Sequence, residues 1–233
     1  MHIQLFHLPN SRSQRIIWLL EELQLEYEIT QCAVHKNDVG LEQLKKLDIT
    51  AKFPIVQITH QQEKFILKES IAIMEYLIFY SQNMNNNMQL HNHTHHYYYW
   101  KNFSEATVLP DLVLKHIFHQ IMIQSPFLFR IVPKIIKYAF DQSYLNPMLK
   151  QHMQAMDLHL AQHQWFAGDQ FTIADILLWF PILAYVATLD SCKKFPHIET
   201  YLENINQRPA FQKALDKGQW SQETFDDYWK SSW

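Results

Sequence analysis

The chain has 233 residues, 48% of them hydrophobic and 18% charged, with a formal charge of −3. That is enough for one large or two small globular domains, and it speaks against nucleic acid as the main partner, because phosphate neutralisation needs a cationic excess. Only 3 glycines are present, which disfavours a glycine-rich phosphate cradle, and the 2 cysteines, Cys32 and Cys192, exclude a disulfide framework and a cysteine zinc site and fit a reducing compartment.

In chain order, IQLFHL reads as a short buried strand, with Ile3, Leu5 and His7 on one face and Gln4, Phe6 and Leu8 on the other. After PNSRS, the residues Ile16, Leu19, Leu20 and Leu23 recur at helical spacing with Glu21 and Glu22 opposite. Leu25, Tyr27 and Ile29 alternate as a second strand, and Leu41, Leu44 and Leu47 mark a short helix. FPIVQI and KFILK are strands flanking the polar turn THQQE, and Ser70 opens a helix along SIAIMEYLIFY. The order is therefore β-α-β-α-β-β-α over residues 1–82, with a parallel pairing through a crossover helix and a closing hairpin. The asparagine-rich stretch at 83–90 reads as a linker, and residues 91–233 read as an all-helical domain punctuated by prolines.

The apolar run ILLWFPILAYVATL is too short for the roughly 18–20 residues a bilayer requires, and predicts a buried helix. No basic region followed by a long apolar one opens the chain, so no secretory leader is expected.

Four local motifs stand out. In NSRSQR, Ser11 and Gln14 have the spacing of an S-x-x-Q capping box, while no G-x-S-x-G elbow surrounds either serine. In KFPIV, Pro54 opens a strand after a bulky residue, a first position of the kind that strands allow proline, and a cis Phe53–Pro54 bond is compatible with it although most X–Pro bonds are trans. In KESIAI, Glu69 precedes Ser70 at a helix start, with Ser70 as the N-cap. In FAGDQFTIADILLWF, Thr172 and Asp175 form a capping-box pair, and Phe171 can staple onto Ile176.

Taken in order, Ser-x-x-x-Arg opening a first helix, x-Pro before a strand, Glu-Ser opening a third helix and Gly-Asp-x-x-Thr-x-Ala-Asp resemble the cytosolic glutathione S-transferases. The resemblance extends to RIIWLLEELQLEYEI, YWKNFSEATVLPDL and RPAFQKAL, and looks closest to the serine-type bacterial and fungal branch. It implies a thioredoxin-like glutathione-binding domain followed by an all-α domain that supplies a hydrophobic pocket for the electrophile. It also implies a cytoplasmic homodimer with glutathione as co-substrate, no prosthetic group, and neither nucleic acid nor a membrane span among its partners.

Residue by residue, Ser11 matches the hydroxyl that donates to the glutathione sulfur, with Asn10 and Ser13 as alternative donors. Phe53, before the family's cis-proline Pro54, matches the residue whose backbone pairs with the cysteinyl part. Glu69 and Ser70 match the γ-glutamyl pair, and Lys52 the basic position for the glycine carboxylate, with His35 a weaker candidate. Ile49 and Ala51 depart from the proline and the glycine or histidine usual in that loop. The implied reaction is conjugation of glutathione to hydrophobic electrophiles, with peroxide reduction as a side activity. A thiol–disulfide oxidoreductase would want a cysteine at Ser11, and a non-catalytic glutathione-binding or regulatory protein of the same fold is the remaining alternative.

Three features stand outside the motif set. His91, His93, His95 and His96 are imidazoles in a linker without carboxylate or thiol neighbours, and no metal site is assigned to them. Tyr97 to Trp100, Phe103, His116, Phe118 and His119 line either a cleft or a dimer seam, or pack helix on helix. The aromatic tail from Trp220 either covers the electrophile pocket or packs on the last helices.

Overall fold

A computed structural model of the chain describes residues 1–33, 39–50, 52–83, 94–188 and 194–231. His35, Ala51, His91, His93 and Cys192 lie outside the described residues. The chain divides into two compact units: residues 1–90 with 205–222, and residues 91–204 with 223–233. Among the described residues, no helix is long and apolar enough to cross a membrane.

The first unit is a thioredoxin-like α/β sandwich. Its strands are β1 (His2–His7), β2 (Glu28–Gln31), β3 (Ile55–His60) and β4 (Glu63–Lys68), in the sheet order β2-β1-β3-β4. β1 and β2 pair in parallel through α1 (Gln14–Glu22), whereas β3 runs antiparallel to both β1 and β4. α2 (Val39–Leu47) and α3 (Ser70–Asn83) complete the β-α-β-α-β-β-α order. Phe6, Cys32, Leu44 and Ile55 form a buried cluster. Gly40 admits α2 against β2, since a Cβ there would lie 2.3 Å from the Gln31 carbonyl oxygen. The β3–β4 turn is two residues long, with Gln61 and Gln62 both at positive φ (46° and 71°), matching the twist of a tight hairpin.

The second strand begins later than the alternation of Leu25, Tyr27 and Ile29 predicts. The Tyr27 hydroxyl instead donates to Glu21 Oε1 (2.6 Å), which fixes this residue to α1 ahead of the ladder.

α1 is buried along almost its whole length, from Gln14 to Leu20 and again at Glu22. A surface helix would show a polar face. What covers that face is α10 (Pro209–Lys217), from the far end of the chain, which packs along α1. Trp18 meets Phe211 edge-on at 4.7 Å, the Gln14 amide donates to the Ala214 carbonyl, and Arg208 grips buried Glu22 with two bonds of 2.7 and 2.8 Å.

The second unit is helical. α4 (His95–Phe103) continues through a π-turn at Ser104–Val108 into α5 (Leu109–Gln124). A 3-10 turn at Phe127–Phe129 leads into α6 (Ile131–Phe140), and a π-turn at Asp141–Leu145 leads into α7 (Asn146–Leu160). α8 (Ile173–Val186) is central, α9 (Pro196–Asn206) contains the division between units, and α11 (Gln222–Lys230) ends the described chain.

α8 opens on the expected capping box: Thr172 Oγ1 accepts from Ala174, and the Asp175 carboxylate accepts from the amides of Thr172 (2.8 Å) and Phe166 (2.9 Å). Burial pushes this carboxyl up to about 7, against the pull of those amides. Pro181 lies inside the helix and has no N–H to give the Leu177 carbonyl one turn back. The Ser104 hydroxyl, from the π-turn, donates to that carbonyl at 3.0 Å.

Candidate functional site

The turn from β1 into α1 gathers His7, Asn10, Ser11 and Ser13. Asn10 takes a positive φ of 56°, and its Oδ1 accepts from the Ser221 amide at 2.8 Å. His7 is fully buried, with Nε2 2.8 Å from the Gly218 carbonyl and Nδ1 2.8 Å from Ser13 Oγ. A carbonyl only accepts, so Nε2 carries the imidazole proton and Nδ1 accepts from Ser13. Burial holds the His7 pKa below its ordinary value, which keeps the ring neutral and in that role. With its proton given to His7, Ser13 Oγ accepts from the Leu8 amide (3.2 Å) and from Ser11 Oγ (2.8 Å).

The expected Ser11–Gln14 capping box does not form. The residue at the helix N-cap is Ser13, its side chain makes no capping bond, and the Gln14 side chain is turned to Ala214. Ser11 Oγ accepts instead from the Ser13 amide at 3.2 Å. Ser13 is wholly buried, whereas Ser11 is half-buried.

A cleft of about 200 Å³ opens nearby in the first unit. Arg12, Thr50, Lys52, Phe53, Pro54, Lys68, Glu69 and Ser70 line it. The structure thus brings together Lys52, Phe53, Pro54, Glu69 and Ser70, five of the residues singled out in the sequence. Asn10, Ser11 and Ser13 are not on its wall; Arg12, between the two serines, is.

The Phe53–Pro54 bond is cis. Glu69 has a φ of 67°, and its carbonyl takes the first α3 bond from the Ile73 amide. Glu69, not Ser70, therefore holds the cap position. The buried Ser70 hydroxyl accepts from Arg15 Nη2 at 3.1 Å. Arg15 is itself fully buried, so it supports the wall from behind.

Sequence reasoning missed Arg12, Thr50 and Lys68. Thr50 and Lys68 meet at Asp48: Thr50 donates to it through hydroxyl (2.7 Å) and amide (3.1 Å), and Lys68 pairs with it at 3.1 Å. These bonds, those of Thr50 foremost, hold the Asp48 carboxyl below the usual range. No motif spacing announces the trio; only the β4 edge and the end of α2 bring it together. The cleft therefore has three cations, Arg12, Lys52 and Lys68, and one carboxylate on its wall, Glu69.

In the second unit, Tyr97 and Trp100 are buried while Tyr98 and Tyr99 are exposed. His116 stacks on Tyr228 at 4.7 Å, and Phe225 and Trp229 of α11 are buried, with Phe225 5.3 Å from Phe180. The tail thus packs on α5 and α8. His96 lies against His159 and His163 with ring centroids 4.9 and 5.0 Å apart. Among the described residues, no group of three or more histidines, cysteines or carboxylates is arranged to hold a metal ion.

Comparison with known proteins matches residues 1–78 to the family profile "Glutathione S-transferase, N-terminal domain" and residues 118–209 to "Glutathione S-transferase, C-terminal domain". Glutathione S-transferase 3 of Schizosaccharomyces pombe is 32% identical over 92% of this chain and 87% of its own length. The disulfide-bond oxidoreductase YfcG of Escherichia coli is 24% identical over 96% of this chain and 99% of its own. A crystal structure of a glutathione S-transferase from Actinobacillus pleuropneumoniae superposes with a TM-score of 0.73 at 26% identity, covering 95% of this chain and 94% of that one.

Proposed function

The chain belongs to the glutathione S-transferase family, and from that premise we propose that it conjugates the thiolate of glutathione to hydrophobic electrophiles, with peroxide reduction as a side activity. The observation that carries this reading is the charge pattern of the cleft. Glutathione presents two carboxylates and one ammonium; the wall carries one carboxylate, Glu69, and three cations, of which Lys68 is paired with Asp48. On this reading Glu69 takes the γ-glutamyl ammonium, Ser70 and the first amides of α3 take the adjacent carboxylate, and Lys52 takes the glycine carboxylate. The backbone of Phe53, ahead of Pro54, pairs with the cysteinyl part.

Ser11 is the proposed thiol donor, as in the serine-type branch. The burial of Ser13 and its bond to His7 support Ser11 over Ser13; Asn10 is held through Oδ1 by the Ser221 amide, a bond in which its Nδ2 donors take no part, and it stays the alternative. A free thiol with a pKa of about 8.5 is only a few per cent ionised at neutral pH. One hydrogen bond to a charged group contributes about 1.5–3 kcal/mol and a helix N-terminus about 0.3–1 kcal/mol. Together they lower the thiol pKa by roughly 1.5–3 units, enough to make the bound thiol largely thiolate. Ser11 stays protonated throughout, so no general base is needed. The protein would act as a cytoplasmic homodimer with no prosthetic group.

The oxidoreductase relative favours a second reading, glutathione-dependent disulfide reduction, in which the same hydroxyl would stabilise the same thiolate. One set of assays separates the readings: retention on glutathione resin, turnover of a chlorinated aromatic acceptor, and reduction of a small mixed disulfide. Ser11→Ala should lower aromatic turnover by about 10–150-fold and move the pH midpoint of kcat/KM upward towards that of the free thiol. Disulfide turnover without aromatic turnover would favour the second reading, and retention without either would leave a binding protein. Unchanged turnover in Ser11→Ala would remove Ser11 from the donor role.

A further inference from the structure

The hairpin of α5 and α6 in the second unit is turned inside out at its tip. Lys137 of α6 and Asp141, which opens the π-turn after it, are buried, while Ile131, Ile135 and Ile136 of α6 are 62%, 60% and 52% exposed. The 3-10 turn before it holds Phe127 and Leu128 at 83% exposure and Phe129 at 66%. An ordinary surface helix shows the opposite arrangement, and a contiguous apolar surface of this kind marks an interaction site. The tip is built to stay in place: Arg130 donates to the carbonyls of Ser125 and Ile123, both at 2.9 Å, tying the turn to the end of α5.

Charge identifies the occupant. From Leu112 to Phe140 the sequence contains no Asp or Glu, although the whole chain carries −3. The next acid, Asp141, is buried against Lys115 and Lys137. The exposed ions of the hairpin are therefore Arg130 and Lys134, both cationic, beside the apolar tip. A second copy of the chain docking through this face in a two-fold contact would set the same cations against each other with no exposed carboxylate between them. A surface that is anionic outside and hydrocarbon beneath meets both features at once.

We propose that the tip of the α5–α6 hairpin is a peripheral docking element for anionic lipid bilayers, with Phe127, Leu128, Phe129 and Ile131 entering the interface and Arg130 and Lys134 resting on the headgroups. At 10 residues α6 is far too short to span, so it lies along the surface in the manner of an interfacial helix.

The test is flotation of the full chain with vesicles of phosphatidylcholine alone or mixed with phosphatidylserine, at low and high salt. Binding is expected to the phosphatidylserine vesicles and to weaken as salt rises. A Leu128→Asp and Phe129→Asp double variant should weaken it by about tenfold or more, and Lys134→Glu by about fivefold or more on anionic vesicles only. Far-UV circular dichroism, unchanged in these surface variants, separates loss of docking from loss of fold. The proposal fails if the chain stays unbound with both vesicle types, or if the variants bind like the parent. It also fails if the Asp variants convert a dimer to a monomer in sedimentation velocity while vesicles go unbound, since the face would then be covered by a second copy.

Discussion

Ser11 and Ser13 stand two positions apart and have different surroundings. The hydroxyl of Ser13 is enclosed between His7 and the Leu8 backbone, while that of Ser11 holds the outer end of the same chain of bonds. In the proposed reaction Ser11 turns its proton from Ser13 to the sulfur, and Ser13 keeps the Leu8 amide as donor. A second histidine also has its charge controlled by position. His159 donates from Nε2 to the Phe166 carbonyl and faces Trp100, His96 and His163. Burial first, then the neighbouring imidazoles, pushes its pKa down to about 4. Because the folded value is depressed, the unfolded chain takes the proton first. Its contribution to stability is therefore complete above about 6.5 and is lost progressively as pH falls towards 4. Imidazole C–H resonances should titrate His159 near 4, and the decline of the urea midpoint below 6.5 should be shallower in His159→Leu. An equal slope in that variant would sink the assignment.

At the scale of elements, α8 shows how a proline is tolerated in a core helix. The carbonyl of Leu177 loses its partner to Pro181 and gains the Ser104 hydroxyl from a π-turn of another helix. Ser104→Ala leaves a buried carbonyl unpaired at a cost of about 1–3 kcal/mol, which for a chain of this size lowers Tm by roughly 2–12 °C. Calorimetry checks it, and an unchanged Tm would mean that the carbonyl finds another donor. The Thr172–Asp175 box was legible beforehand because its spacing is a local code. So were the β-α-β-α-β-β-α order of elements, the apolar periods, and Pro54, Glu69 and Ser70, which the structure places on the cleft wall. The Ser11–Gln14 box has an equally good local code, yet tertiary bonding draws Gln14 to Ala214 and Ser13 to His7. Lys68 was invisible for a related reason: it reaches Asp48, which Thr50 holds within a local turn, from a strand that no spacing connects to that turn.

For the whole molecule, what escaped the sequence is how the first unit is completed. The periodicity of RPAFQKAL predicts a helix, but nothing in it says that the helix covers α1. The four-stranded sheet with α1–α3 leaves Trp18, Gln14 and Glu22 needing Phe211, Ala214 and Arg208, and His7 needing Gly218. Without α10, Trp18 loses the Phe211 ring, Glu22 loses both Arg208 bonds, and the apolar side chains of that face pass from the core to water, a large loss against ordinary domain stability. Residues 1–90 expressed alone should thus show no cooperative unfolding by circular dichroism, while the same segment joined through a linker to 205–222 should recover it. A cooperative transition in the shorter fragment would show that α10 is dispensable.

Completion of that unit by α10 also sets a clock on the newborn chain. During synthesis β1, α1 and the sheet emerge early, but the face of α1 stays uncovered until Gly218 has been made. At ribosomal speeds of about 5–20 residues per second, the intervening stretch takes on the order of ten seconds. Through that interval the apolar side of α1 is exposed to whatever else is near, so the chain is at its most dependent on chaperones between the appearance of its first unit and the arrival of the helix that closes it.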